Sequence, residues 1–148
     1  MRFLVDTNVL LRWADSGSPL HTVCLDSVRH LVKQEWDACI CAQVLIEFWA
    51  VATRPLGNNG LGLSAVETER LIDDARIVFS CLPEPPDMAD QWQDLALKCQ
   101  VLGKQAHDAR LVALMLSHGI TQLLTLNTPD FVRYPEITPL TPAEVLAL

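Results

Sequence analysis

The sequence is short of positive charge. Lysine and arginine number 11 against 18 aspartates and glutamates, a net charge of −7 at pH 7 with neutral histidines. The basic residues never form a run, so no stretch is by itself an electrostatic footprint for nucleic acid, whose phosphates need Lys and Arg. No apolar stretch reaches the ~18–20 residues that span a bilayer. The first residues lead straight into a strand, without the basic and apolar regions of a signal peptide, which predicts a cytoplasmic protein with no membrane partner. The five cysteines (Cys24, Cys39, Cys41, Cys81, Cys99) include no C-x-x-C pair. Cys39 and Cys41 share one face of a strand, a poor geometry for zinc, and the set is expected to be buried reduced thiols. Repeats, low-complexity tracts and linkers are missing too, and the Gly57–Gly62 loop is too short to divide the chain. With 148 residues, half of them hydrophobic, a single folded domain over 1–148 is expected.

What is present is an alternation of short apolar runs with helical periodicity. Phe3–Val5, Ala38–Ala42, Phe79–Leu82 and Leu123–Leu126 read as buried strands, and Ile137–Leu140 as an edge strand. Between them, helices are expected over Asn8–Asp15, Thr22–Gln34, Gln43–Ala52, Ala65–Val78 and Asp87–Val101, then from near Asp108 to the stop at Gly119. Ser64 with Glu67 has the spacing of a capping box, and Thr141-Pro142 starts a last helical turn. Gln43–Ala52 is apolar almost all round and is expected to be buried or pressed against another surface. Strands alternating with helices predict α/β architecture: a parallel sheet of about five strands between two helical layers.

Acids punctuate this pattern. Asp6 ends the first strand, where open α/β sheets place their ligand crevices. Asp6, Thr7 and Asn8 also suit the simpler task of capping the next helix. Glu47 is the only charge between Ala38 and Thr53, and its neighbours one turn away are Gln43, Val44, Ala50 and Val51. A carboxylate in such a helix must find a partner or protonate, so Glu47 pairs with a distant arginine, points outward, or sits beside a cation. Asp108 opens a helix, where capping and the helix dipole are ordinary explanations. Asn127 and Asp130 follow a strand end, where a side-chain-capped turn is ordinary too. Jointly, Asp6, Glu47, Asp108 and Asp130 converge on one sheet edge and would repel each other unless cations offset them. Hard oxygen ligands without His or Cys favour Mg²⁺ or Mn²⁺. Two such ions would offset more than half of the net charge.

Leu4-Val5-Asp6-Thr7-Asn8-Val9-Leu10, Glu47 in its apolar helix, Ala106-His107-Asp108-Ala109 and Thr125-Leu126-Asn127-Thr128-Pro129-Asp130-Phe131 together resemble a PIN domain, and Asn59-Gly60-Leu61-Gly62-Leu63-Ser64 adds a resemblance to VapC-type toxins of bacterial toxin–antitoxin pairs. The resemblance spans essentially the whole chain. It implies a three-layer PIN-like fold and an endoribonuclease that cuts phosphodiester bonds by two-metal-ion hydrolysis. Asp6, Asp108 and Glu47 would hold one Mg²⁺ or Mn²⁺, and Asp6 and Asp130 would help a second. Asn127 stands where some members carry aspartate, which makes Asp130 the choice for the fourth acid, with Asn127 assisting. Thr7 or Thr125 would orient a carboxylate or a water. The family further implies an RNA substrate, a homodimer and a small antitoxin protein.

Contacts to RNA would come from scattered bases, Arg12, Arg54, Lys104, Arg110 and Arg133. Trp13 and Trp49 are candidates for base stacking, although tryptophan at these spacings usually packs in a core, and His107 is expected at the surface or behind the ligands. Two rival classes stay open. One is the same fold with a silent site, acting as a binding module. The other is an Asp-dependent phosphatase of related topology, which would need an aspartate where Asn8 stands.

Overall fold

The computed structural model describes residues 1–148 and shows a three-layer α/β/α arrangement around five parallel strands. The strands are β1 (Arg2–Val5), β2 (Asp37–Cys41), β3 (Ser80–Leu82), β4 (Gln122–Leu124) and β5 (Thr138–Leu140), in the order β3-β2-β1-β4-β5. β1 is central, pairing Leu4 with Cys39 of β2 on one side and with Leu123 of β4 on the other. Phe3, Leu4 and Val5 are wholly buried, which is why the segment can be apolar without alternation. The chain builds outward from β1 through β2 to β3, then returns across the sheet to β4. This reversal makes the carboxyl ends of β1 and β4 the topological switch point, where open α/β sheets form crevices. The outer strand β5 carries Pro139, tolerated where one side of the ladder is unpaired.

Seven helices cover the sheet: α1 (Thr7–Ala14), α2 (His21–Lys33), α3 (Ala42–Ala52), α4 (Ala65–Val78), α5 (Met88–Lys98), α6 (Gln105–Ser117) and α7 (Pro142–Leu146). α1 packs on α2 and α3, α2 on α7, and α5 on α6. The expected capping box at Ser64 and Glu67 forms, and the structure adds a second at Thr141 and Glu144. Ser64 Oγ accepts from the Glu67 amide while Glu67 accepts from the Ser64 amide, and Thr141 and Glu144 repeat the arrangement.

Two expectations on helix ends are corrected. α6 begins at Gln105, so Asp108 lies at the end of its first turn and does not open the helix. α5 stops at Lys98, short of Val101, because Gln100 turns to a φ of 51° and the Val101 amide folds back onto the Ala96 carbonyl at 2.9 Å. α3 buries Val44, Phe48 and Ala52 and leaves Ile46 65% and Trp49 40% exposed, so its other apolar flank is open to a second surface. Cys24, Cys39 and Cys41 are buried thiols as expected, whereas Cys81, on edge strand β3, is exposed.

Candidate active site

Asp6 leaves β1 in extended conformation and caps α1, its Oδ1 accepting from the Thr7 amide at 2.7 Å. Its Oδ2 accepts from Thr125 Oγ1 at 2.7 Å and from Asn8 Nδ2 at 3.1 Å. Capping and site placement are thus not alternatives for this residue: Asp6 does the first and lines the pocket as well. Burial pushes its pKa up; the bonds from Thr125, Thr7 and Asn8 oppose the shift, and the charge of Glu47 adds to it.

Thr125 is fully buried just past β4. Its one proton goes to Asp6, and its oxygen accepts from the Asn127 amide at 3.1 Å and from Asn8 Nδ2 at 3.3 Å. Asn8 completes the clasp, accepting from the Leu126 amide at 3.1 Å. The ends of the two central strands are therefore locked together by side chains around Asp6.

Glu47 enters from α3. Its Oε2 accepts from Thr7 Oγ1 at 2.7 Å and its Oε1 from Gln43 Nε2 at 3.0 Å. None of the four ion pairs of the molecule includes it, so no arginine neutralises it. Gln43 is itself buried and also donates to the His107 carbonyl at 2.8 Å, while its Oε1 accepts from Arg110 at 3.2 Å. Flipping the amide would aim oxygen at a carboxylate and a carbonyl, so its orientation is fixed by its partners.

Asp108 faces the same space from α6, and its pKa is raised from 3.8 to about 6. Desolvation is the largest cause, followed by the charges of Asp6, Asp130 and Glu47; His107 opposes them. Asp130 arrives from a 3-10 turn over Thr128–Phe131, with its amide donating to the Asn127 carbonyl at 3.1 Å. Asp6, Thr7, Asn8, Glu47, Asp108, Asn127 and Asp130 share one pocket of about 370 Å³, whose only basic lining residue is Arg54.

The other candidate bases do not line it. Arg12 sits by an adjoining hollow and donates to the Asn8 carbonyl at 3.3 Å. Arg110 is ion-paired with Glu84. Lys104 is exposed at the start of α6, and Arg133 is half-buried beyond the 3-10 turn. His107 is exposed and touches the site only through its backbone. Trp13 packs edge-on against Phe79 at 5.1 Å, and Trp49 lies outside on α3.

No three His, Cys, Asp or Glu side chains stand in a preformed metal-holding cluster. The chemistry of the donor set still fits a hard divalent cation. Four carboxylates line one pocket, burial and then the charges of the other three raise the pKa of Asp108, and one base faces them.

Sequence reasoning missed Asn8 and Gln43 as members of the site. Asn8 stands two residues after Asp6 and Gln43 one helical turn before Glu47, spacings that were visible without indicating a partner.

A PIN domain family model matches residues 3–137. No curated protein matches the sequence. Among solved structures, the chain is similar to VapBC2 from Rickettsia felis bound to a DNA fragment of its promoter, with a TM-score of 0.73 and 13% identity over 95% of this chain and 98% of that one. A toxin–antitoxin complex from Klebsiella pneumoniae gives a TM-score of 0.63 and 21% identity over 94% and 96%. Mycobacterium tuberculosis VapC20, a toxin that cleaves the sarcin–ricin loop, gives 0.60 and 17% over 82% and 86%. At these identities the structural likenesses establish the fold.

Proposed function

The chain belongs to the PIN domain family, and from that membership and its acid pocket we propose that it is a divalent-metal-dependent endoribonuclease, the toxin of a toxin–antitoxin pair. The observation that carries the reading is the convergence of Asp6, Glu47, Asp108 and Asp130 at the switch point without a neutralising ion pair. Structural repulsion of this kind is costly to a fold and useful to a cation site. The neighbours solved as VapBC and other toxin–antitoxin complexes support a small antitoxin as partner. A homodimer and a cytoplasmic setting belong to the same reading.

Asp6, Asp108 and Glu47 would hold one Mg²⁺ or Mn²⁺, with Asp130 helping a second. When bound, the ions supply Lewis-acid chemistry, offsetting charge on the scissile phosphate and making water a better nucleophile. Thr125, Asn8 and Thr7 hold the Asp6 carboxylate by three bonds, which fixes its direction before any ligand arrives. Thr7 and Gln43 do the same for Glu47. Asn127 lines the pocket beside Asp130, and Arg54 offers its positive charge to a phosphate. The phosphatase alternative gains no support, because Asn8 is engaged with Asp6, Thr125 and the Leu126 amide.

The test is cleavage of RNA by the purified chain in Mn²⁺ or Mg²⁺, its loss in excess EDTA, and its return when the metal is restored. Cleavage that survives exhaustive chelation contradicts the mechanism. RNA left intact under every metal condition favours a silent binding module.

A further inference from the structure

The other flank of α6 borders a second hollow of about 560 Å³, larger than the acid pocket. Pro85, Met88 and Trp92 give it apolar walls, and Glu84, His107 and Arg110 a polar rim. The Trp92 indole N–H donates to the Ala106 carbonyl at 2.9 Å, so the ring is fixed to the first turn of α6 with its one polar group satisfied. An aromatic wall already held in place loses little entropy when a ligand packs on it.

The hollow and the acid pocket share a partition. Consecutive residues of α6 face opposite sides of it, His107 toward the hollow and Asp108 toward the acids. Gln43 spans it, bonding Glu47 Oε1 at 3.0 Å on one side and accepting from Arg110 at 3.2 Å on the other. A strand that crosses the first turn of α6 from the acids therefore meets the hollow.

We propose that this hollow is a nucleobase subsite, receiving a base of the RNA strand whose neighbouring phosphate lies at the acids. The proposal rests on the nuclease reading above. A base needs an apolar slot for its faces and both donors and acceptors at its edge. Arg110 has five N–H donors and Glu84 four acceptor positions, so their ion pair leaves both able to bond further.

The test is fluorescence anisotropy of a labelled single-stranded RNA of mixed sequence, titrated with the full chain carrying Asp6→Asn so that binding is read without cleavage. Trp92→Leu removes the aromatic wall, and Ala89→Tyr fills the hollow from an exposed position. Each should weaken binding about tenfold, as loss of one stacked base does, while Trp92→Phe stays within about threefold. Agreement between Ala89→Tyr and Trp92→Leu excludes a folding defect at Trp92 as the cause. If both variants bind RNA as the parent does, the subsite is wrong, and metal-dependent cleavage by the unmutated chain would show that the nuclease reading survives. If the unmutated chain neither binds nor cleaves RNA, both fall together. Unchanged RNA binding with loss of a partner encoded beside the chain would give the hollow to protein and overturn the proposal.

Discussion

Thr7 Oγ1 donates to Glu47 Oε2 at 2.7 Å, joining the first residue of α1 to the middle of α3 across 40 positions of sequence. Thr7 also gives its amide to Asp6, so one residue holds two of the four acids in a fixed relation. Thr7→Val keeps the volume and removes the hydroxyl. The variant should lose activity at least tenfold yet lose only about 1 kcal/mol of stability, since Glu47 keeps its bond from Gln43 and some access to water. Thr7→Ser should retain most of the activity. Urea unfolding beside a cleavage assay checks the pair.

The strain at Asp108 sets a pH dependence with a definite sign. Its native pKa of about 6 lies above the ordinary 3.8, so between these values the folded chain holds a proton that the unfolded chain has released. Metal-free stability should therefore fall as pH rises from about 4 to 6 and change little from this cause above that. Asp6 is shifted in the same direction. Asp108→Asn removes the effect and should raise the metal-free Tm at pH 7.5 by a few degrees, solvent screening discounted, with little gain at pH 4. Thermal unfolding in EDTA across that range is the measurement.

Gln43 is predicted to matter to the fold and the site together. Gln43→Leu leaves the His107 carbonyl, one oxygen of Glu47 and an N–H of Arg110 without their partner. A loss of about 2–3 kcal/mol is expected from the stranded groups, with activity reduced even at temperatures where the variant is folded. Full activity in a folded Gln43→Leu chain would mean that Glu47 needs no such support.

Arg54 depends on a glycine. A Cβ on Gly60 would stand 1.9 Å from the Arg54 carbonyl oxygen, so any side chain there forces the loop off the end of α3. The Gly62 amide, bonded to that same oxygen at 2.8 Å, would be disturbed as well. Gly60→Ala should cost roughly 1–3 kcal/mol and displace the one base lining the acid pocket, weakening RNA binding. Gly57→Ala, with nothing within 4 Å of its added Cβ, should be nearly neutral and is the control.

What could be read from the sequence followed how local each signal was. Ser64 and Glu67 announce their helix because both partners lie within one turn. Phe3–Val5 announces a central strand because burial on both faces leaves no polar residue. Glu47 stood out because an isolated carboxylate in an apolar segment must be satisfied somewhere. The start of α6 was misplaced because Lys104, its N-terminal flanking residue, makes no side-chain cap and so leaves no local mark. Asn8 and Gln43 escaped because, beside the nearby acid that each bonds, the partners that fix their place are remote: Leu126 is 118 positions from the first and His107 is 64 from the second. The sequence marked α3 as apolar all round but not which side faces out, since Ile46 and Trp49 look in sequence like any core residues.

The central claim is that Asp6, Glu47, Asp108 and Asp130 form one divalent-cation site. Titration of Mn²⁺ into the RNA-free chain, with free Mn²⁺ followed by electron paramagnetic resonance, tests it without reference to activity. The unmutated chain should bind Mn²⁺, and Asp6→Asn, Glu47→Gln and Asp108→Asn should each weaken binding tenfold or more while remaining folded. Three folded variants that bind Mn²⁺ as tightly as the unmutated chain would contradict the account.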